Sequence, residues 1–311
     1  MKKLNFRFLH IILVSILLLG LVTSCKNENK KGSRPQVVTT TTMITDLLKN
    51  IGKDSIRVQG LMGSGVDPHL YKASEGDVNK LVNADAIFYN GLHLEGKLVE
   101  VFEKMGNQQV KTIAVGEALD KNTLIGSEYF ASNYDPHIWF DIDNWKIITS
   151  YVVKKLSELD PESSTYYEQN RKQYLEQLTA LSKQVKDKIK SLPSEKRILV
   201  TAHDAFNYFG KAYGFEVVGL QGLSTATEAG VQDVQKLSDF IIEKEVKSIF
   251  VESSVPKKTI NALLEAVRSR GKEVEIGGTL YSDALGDAGT TEGTYEGMFI
   301  HNVTTIVEAL K

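Results

Sequence analysis

Short apolar runs rich in β-branched residues alternate with helical patterns along most of the chain, and this alternation limits the possible folds more than any other feature. Strand-like runs occupy residues 37–42, 56–61, 86–89 and 110–115, and then 197–201, 215–218, 248–252 and 273–277. Apolar residues recur at helical spacing in 44–51, 231–244, 257–270 and 295–310. Strands that alternate with helices predict an α/β fold with mainly parallel sheets flanked by helices.

The alternation stops between residues 164 and 192, where the chain has neither a strand pattern nor a glycine. Apolar residues here follow three- and four-residue steps or their multiples, and Pro193 ends the pattern. A helix of this length would span ~43 Å. It could be an ordinary surface helix, but its length and mid-chain position favour a connecting strut. We therefore predict two lobes, residues 36–163 and 193–311, joined by a linking helix over 164–192.

The first 24 residues have the pattern of a secretory signal, with a basic start, an apolar run over 11–22 and small residues before Cys25. The apolar run is shorter than the ~20 residues that a membrane-spanning helix needs. Cys25 is the only cysteine, and residues 22–25 (VTSC) resemble a bacterial lipobox. The alternative is a free thiol beside an ordinary cleavage site. We expect lipidation of Cys25, a flexible polar tether over 25–35, and attachment to membrane lipid in the cell envelope, outside the cytoplasm.

The charge of the chain is mild. Its formal net charge is −2, and removal of the signal, which holds three basic and no acidic residues, brings it to about −5. The absence of a basic stripe argues against a nucleic-acid partner. We expect a monomer.

Three of the five histidines beyond the signal share one setting, a loop or turn with an acidic residue one or two positions away. His69, His137 and His203 lie in GVDPH (65–69), DPHIW (135–139) and TAHD (201–204). The Asp-Pro-His triplet occurs twice, and its proline fixes φ just before the histidine. A single histidine is more often structural than a ligand, but three near strand ends favour a metal site.

A metal site of this kind needs one more donor. Neutral imidazole is the commonest protein ligand for metals, and a tetrahedral site takes four ligands. Asp283 and Asp287 both follow the last predicted strand. Spacing alone therefore predicts three histidines and one carboxylate, divided between the lobes, and leaves the choice of aspartate open.

Five ordered motifs resemble the cluster A-I family of metal-binding receptors of ABC transporters, which includes zinc receptors, manganese receptors and lipoproteins once described as adhesins. The motifs are GVDPHLY (65–71), YNGLHLE (89–95), DPHIWFD (135–141), TAHDAF (201–206) and YSDALG (281–286). The likeness runs from about residue 37 to the C-terminus and is strongest to the TroA-like members.

This resemblance implies a role for individual residues. His69 and His137 match the two histidine ligands of the N-terminal lobe, His203 matches the third ligand, and Asp283 rather than Asp287 matches the carboxylate. His93 and His301 do not fall at ligand positions, so we interpret them as structural or surface residues. The resemblance also implies a single helix between the lobes and a receptor that delivers its ion to the membrane permease of an ABC transporter.

Two departures from the family's patterns bear on the choice of metal. Dedicated manganese receptors usually carry glutamate where this chain has His203, and many zinc receptors carry a histidine-rich loop where residues 119–134 hold no histidine. A nitrogen-rich donor set suits zinc, whereas manganese prefers oxygen. We predict one divalent ion, with zinc as first choice and manganese as second.

Some polar residues and glycines have weaker interpretations. Glu228 and Glu252 could orient the imidazoles from behind or could equally cap helices. The Gly277-Gly278 pair indicates a tight turn, since no phosphate-loop pattern accompanies it.

Two other classes of function compete with a receptor. A zinc hydrolase needs an open coordination position, which Asp283 would fill, and the chain has no HExxH motif; we therefore do not expect an enzyme. A surface adhesin would need a sizeable exposed apolar patch, which a sequence does not reveal.

Overall fold

The computed structural model of the chain describes residues 34–107, 110–128 and 130–311. The predicted signal (1–24), Cys25 and the tether up to residue 33 lie outside these residues. Among the helices that are described, none combines the length and the apolar character needed to cross a membrane.

Four parallel strands form the sheet of the first half of the chain. They are β1 (Gln36–Thr39), β2 (Arg57–Gly60), β3 (Ala86–Tyr89) and β4 (Lys111–Ala114), in the order β2-β1-β3-β4. Strand β1 ends three residues before the predicted end at residue 42. The reason is local: the Thr41 side chain accepts a hydrogen bond from the backbone N–H of Ile44 and caps the helix that begins at Thr42.

The second half of the chain contains four further strands. They are β5 (Ile198–His203), β6 (Glu216–Gln221), β7 (Ser248–Glu252) and β8 (Glu275–Leu280). β5 pairs with β6 and β7 with β8, both in parallel, and β5 also lies beside β7. β5 continues two residues beyond the predicted end and includes His203 itself. The predicted α/β class, with mainly parallel sheets flanked by helices, is confirmed.

The prediction of a tight turn at Gly277-Gly278 is wrong, because both glycines lie inside β8. The register between β7 and β8 shifts at this point. A Cβ atom on Gly277 would lie 2.6 Å from the Cβ of Ala309, and one on Gly278 would lie 2.4 Å from Cγ2 of Thr305. Glycine is required here because the C-terminal helix packs directly on the strand.

Helices cover these sheets. They are α1 (Thr42–Gly52), α2 (Glu75–Val82), α3 (Val99–Asn107), α4 (Ile142–Leu159), α5 (Ser164–Ile189), α6 (Asn207–Tyr213), α7 (Val231–Glu243), α8 (Lys258–Arg268) and α9 (Tyr295–Leu310). The predicted helices correspond to α1, α5, α7, α8 and α9, with ends that differ by three residues or fewer. Helix α4 directly precedes α5, so two helices in succession interrupt the alternation.

The linking helix α5 ends at Ile189, three residues before the predicted end. It packs against α1, α4 and α9 and buries one face: Tyr167, Asn170, Tyr174, Leu178, Leu181, Ser182, Val185 and Ile189. The Asn170 side chain donates a 2.8 Å hydrogen bond to the carbonyl of Ile51 at the end of α1. Helix α5 therefore packs against helices from both halves of the chain, and its role as the link between two lobes stays a prediction.

One hydrophobic core contains residues from both halves of the chain. Ile44 and Trp145 from the first half share it with Leu178 of α5 and with Phe206 and Tyr295 of the second half. The Trp145 and Tyr295 rings stack with centroids 5.0 Å apart. Residues 35–311 form one compact unit, and the lobe boundaries 36–163, 164–192 and 193–311 stay a prediction.

Candidate metal centre

Four polar side chains meet where strands and loops of the two halves come together. His69 lies in the loop after β2, and His137 lies just before the short 3₁₀ turn Ile138–Phe140 that precedes α4. His203 is the last residue of β5, and Asp283 lies in the loop after β8. All four are buried; His69, the most exposed, has 3% of its surface accessible. Ligand sites in α/β proteins commonly lie beyond the carboxyl ends of strands, as here.

The spacing of the donor atoms fits a single ion. Each residue offers one ligand atom, and all four of these atoms lie within 4.8 Å of one another. Asp283 Oδ2 is 3.6 Å from His69 Nε2 and 3.3 Å from His203 Nε2, while Asp283 Oδ1 is 3.6 Å from His137 Nε2. Bonds of ~2.0–2.1 Å in a tetrahedral site place neighbouring ligand atoms about 3.3 Å apart.

The hydrogen bonding of these donor atoms is also unusual for buried polar groups. Among the residues described, the Nε2 atoms of the three histidines and both carboxylate oxygens of Asp283 are buried without one. Most buried polar atoms in proteins do have a partner, and an unmet group costs free energy. A cation at the centre would satisfy all of them at once.

Asp135 supports the ring of His137. Its Oδ1 lies 2.7 Å from His137 Nδ1 and also accepts a 2.9 Å hydrogen bond from the His137 backbone N–H. A carboxylate on Nδ1 places the proton there and leaves Nε2 free to bind metal. The acidic neighbour was visible in the sequence, but its contact with the ring was not predicted.

Glu252 has the corresponding place beside His203. Its Oε1 accepts a 2.9 Å hydrogen bond from the His203 backbone N–H. Its Oε2 lies 2.6 Å from His203 Nδ1, within ion-pairing distance. Of the two open interpretations of Glu252, the structure places it behind an imidazole.

The remaining candidates lie elsewhere. Glu228 is exposed and, within the described residues, makes no hydrogen bond to the three imidazoles, so the structure does not bring it to the centre. Asp287 is also exposed and lies outside the four-residue cluster. His93 is exposed and packs edge-on against Phe130, and His301 Nε2 lies 3.0 Å from the carbonyl of Thr279.

The pKa values of the groups in the centre are shifted in different directions. Burial lowers the pKa of His69 to about 3. Burial also lowers the pKa of His203, but Glu252 and Asp283 outweigh it and raise that pKa well above its ordinary value. Burial raises the pKa of Asp283, but the three histidines, His203 foremost, hold it below its usual range. The centre thus keeps an ionised carboxylate that attracts a cation.

The chain matches the sequence profile of a family described as zinc-uptake complex component A, periplasmic, over residues 37–309. It is 50% identical over 293 residues to the manganese-binding lipoprotein MntA of Bacillus subtilis, an alignment that covers 93% of this chain and 95% of that protein. It is 47% identical over 304 residues to the zinc-binding protein TroA of Treponema pallidum, covering 96% and 98% of the two chains.

Solved structures show the same fold. The periplasmic zinc-binding protein TroA from Treponema pallidum superposes with a TM-score of 0.87 at 50% identity, covering 89% of this chain and 99% of that one. A manganese-bound periplasmic metal-binding protein from Candidatus Liberibacter asiaticus gives a TM-score of 0.77 at 27% identity, covering 89% and 100%.

Proposed function

Because the chain belongs to the family of zinc-uptake complex component A proteins, we propose that it captures one divalent transition-metal ion outside the cytoplasm and delivers it to the permease of an ABC transporter. One observation carries this proposal: four buried residues from both halves present donor atoms to one point, and those atoms have no other partner among the described residues. We assign His69, His137, His203 and Asp283 as the ligands.

Zinc is the first choice for the ion. Three imidazole nitrogens and one carboxylate suit zinc better than manganese, which prefers oxygen donors. Manganese is the second choice, since the Bacillus subtilis relative is named for manganese and the Treponema pallidum relative for zinc. The two relatives are similar to this chain to almost the same degree, so their names do not separate the metals.

Binding and delivery fit this donor set better than catalysis does. Catalytic zinc sites keep a coordination position open for water or substrate, whereas four protein ligands complete a tetrahedron. The relatives are named as binding proteins. Incubation of the zinc-loaded protein with ester and amide substrates should give no turnover above that of the metal-free protein, and measurable turnover by the zinc-loaded protein alone would revive the hydrolase alternative.

Lipid attachment through Cys25 belongs to the same proposal. Cys25 lies outside the described residues, and support comes from the sequence pattern around it and from relatives that are named lipoproteins. A single acyl chain gives only marginal membrane binding, so stable attachment would use more than one. The Cys25→Ala protein should leave the membrane fraction; continued membrane association would contradict lipidation at this residue.

Metal analysis tests the central proposal. Protein purified from its own host should contain about one transition-metal ion per chain, and the apo form should take up zinc in preference to manganese in a competitive titration. Asp283→Ala should weaken binding sharply, while Asp287→Ala, its matched control in the same loop, should bind as the wild type does. Equal losses in both variants, or an apo protein that binds neither ion tightly, would contradict the proposed site.

A further inference from the structure

The repeated Asp-Pro-His triplet contains an aspartate whose two oxygens have different partners. In both copies, Oδ1 accepts a hydrogen bond from the backbone N–H of the histidine two residues later. The distance is 2.8 Å from His69 to Asp67 and 2.9 Å from His137 to Asp135. This local turn, with the fixed φ of the intervening proline, sets the direction in which each histidine leaves the backbone.

The second oxygen of each aspartate contacts the other half of the chain. Thr225 Oγ1 donates a hydrogen bond to Asp67 Oδ2 across 158 residues of sequence. Asn207 Nδ2 donates a 3.0 Å hydrogen bond to Asp135 Oδ2 across 72 residues. Thr225 lies in the loop between β6 and α7, and Asn207 is the first residue of α6. Both copies of the motif therefore join a first-half histidine loop to a donor from the second half.

We propose that Thr225 and Asn207 are positioning residues that hold the two halves together through Asp67 and Asp135, and that these two aspartate contacts set how fast a bound metal ion leaves. The inference rests on the proposed function, since it assumes that the buried centre holds metal.

The burial of the centre connects these contacts to release. His69, His137, His203 and Asp283 are almost inaccessible to solvent, so an ion can leave only when the loops from the two halves separate. Separation of the His69 loop from the second half breaks the Thr225 contact, and separation of the His137 loop breaks the Asn207 contact. Hydrogen bonds to ionised groups are stronger than neutral ones, and loss of either therefore lowers the barrier to opening.

The contacts do not involve the donor atoms themselves. Each aspartate accepts a hydrogen bond from the backbone N–H of its histidine by Oδ1 and contacts the other half by Oδ2. Asp135 Oδ1 also lies against His137 Nδ1, which is not the proposed ligand atom of that ring. Removal of a donor at Oδ2 leaves all four ligands and the local turns in place. The expected effect is on the dissociation rate of the ion rather than on the arrangement of its ligands.

Thr225→Val tests this proposal, because valine keeps the shape of threonine and removes the hydroxyl. Thr227→Val is the matched control: Thr227 is exposed two residues further along the same loop, and its hydroxyl donates to no carboxylate among the described residues. Zinc release into an excess of a chromogenic chelator is followed by stopped flow. We expect release about tenfold faster in Thr225→Val, from the strength of one hydrogen bond to a charged group, and the wild-type rate in Thr227→Val.

A second measurement separates release from ligand geometry. The absorption spectrum of the Co²⁺-loaded protein reports the donor set and its symmetry, and it should be the same in wild type, Thr225→Val and Thr227→Val. Asn207→Ala should also speed release, and it decides the question if Thr225→Val does not fold. Equal release rates in Thr225→Val and Thr227→Val, or a changed Co²⁺ spectrum, would overturn the proposal. A wild type that binds no metal would instead refute the proposed function.

Discussion

The two halves of the chain support their histidines in different ways. In the first half, Asp135 lies two residues before His137 and contacts both its backbone N–H and its ring through a single oxygen. In the second half, Glu252 lies 49 residues after His203 and uses one oxygen for each of the same two groups. The first arrangement is contained in one loop, whereas the second exists only because β5 and β7 lie side by side.

Because the two supports are built differently, we expect them to respond differently to the same chemical change. Asp135 can lose its second oxygen and still hold both groups of His137. Glu252 needs both of its oxygens, because each one contacts a different group of His203. The support of His203 should therefore be the more sensitive of the two, although both histidines contribute one nitrogen to the same centre.

The largest expected effect is the loss of a ligand from either half. His137→Ala and His203→Ala should each lower metal affinity by more than about 100-fold, beyond the 10- to 100-fold typical of residues behind a ligand. Competition with a chelator of known affinity measures this. His93→Ala should bind normally as the control. A near-normal affinity in one of the two ligand variants would mean that the other half holds the ion without it.

The next effect compares the supports directly. In Glu252→Gln, an amide NH₂ replaces one of the two carboxylate oxygens. It then faces either the ring Nδ1 or the backbone N–H of His203. If it faces the ring, the ring proton moves to Nε2 and blocks the nitrogen that we propose binds the metal. Asp135→Asn can keep its oxygen on His137 and lose only the contact with Asn207.

In the same chelator competition, we expect a loss of about 100-fold for Glu252→Gln and about 10-fold for Asp135→Asn. Equal losses of affinity would show that it does not matter how many carboxylate oxygens contact each histidine. A larger loss in Asp135→Asn than in Glu252→Gln would contradict the expectation that the support of His203 is the more sensitive one.

A third test uses pH. Burial lowers the pKa of His203, but Glu252 and Asp283 outweigh it and raise that pKa, so an ion that binds this ring competes with a proton more strongly than at an ordinary imidazole. Affinity should therefore rise with pH through neutrality, by up to about tenfold per pH unit for one competing proton. Burial lowers the pKa of His69 to about 3, so that ring offers no competing proton in this range.

Calorimetry in two buffers of different ionisation enthalpy measures proton release directly, and we expect the protein to release protons when it binds the ion at pH 7. Chelator competition at pH 6, 7 and 8 gives the slope. An affinity that does not change over this interval would mean that the ring of His203 is already neutral before metal arrives.

We expect the smallest effect on metal binding from Asp46, a carboxylate that accepts a hydrogen bond from the backbone and contacts none of the proposed histidine ligands. Asp46 Oδ2 accepts a 3.1 Å hydrogen bond from the backbone N–H of Tyr295, and burial raises the pKa of Asp46 from 3.8 to about 6. Asp46→Asn should leave metal affinity unchanged. Any large loss of affinity would show that burial of a carboxylate, rather than contact with a ligand, explains the effect of Glu252.

The same carboxylate has a defined effect on stability. The folded protein holds the Asp46 proton more tightly than the unfolded chain, so this contribution is complete below pH 3.8 and is lost as pH rises through about 6. Asparagine stays neutral throughout. Denaturant titrations should therefore show the wild type losing stability relative to Asp46→Asn between pH 4 and 6, and a constant difference would contradict the raised pKa.

The features that depend on short segments of the chain could be predicted from the sequence. The alternation of strands and helices indicated the fold class, and the motifs around His69, His137, His203 and Asp283 indicated the four residues that the structure brings together. The lengths of β1 and β8 were less predictable: a capping threonine ended the first early, and the Gly277-Gly278 pair looked like a turn because no sequence pattern reveals a helix packed on a strand.

Beyond the cluster of His69, His137, His203 and Asp283, contacts between distant segments could not be predicted. Glu228 and Glu252 looked equivalent in the sequence, yet only Glu252 ends a strand that lies beside β5. The contact of Thr225 with Asp67 joins loops from separate halves, and one chain carries no signal for such a pair. What the sequence lacked was the relative placement of segments, which only packing determines.

The C-terminal helix has a consequence for the order in which the protein acquires its properties. All four proposed ligands precede residue 295, but Tyr295 stacks on Trp145 and donates a 2.7 Å hydrogen bond to the carbonyl of Trp139, two residues after His137. Synthesis runs from the N-terminus, so a ribosome has made every donor before it makes the 16 residues of α9. A nascent chain at that stage has the proposed ligands without the packing of Tyr295, and we expect it to capture metal only once α9 is in place.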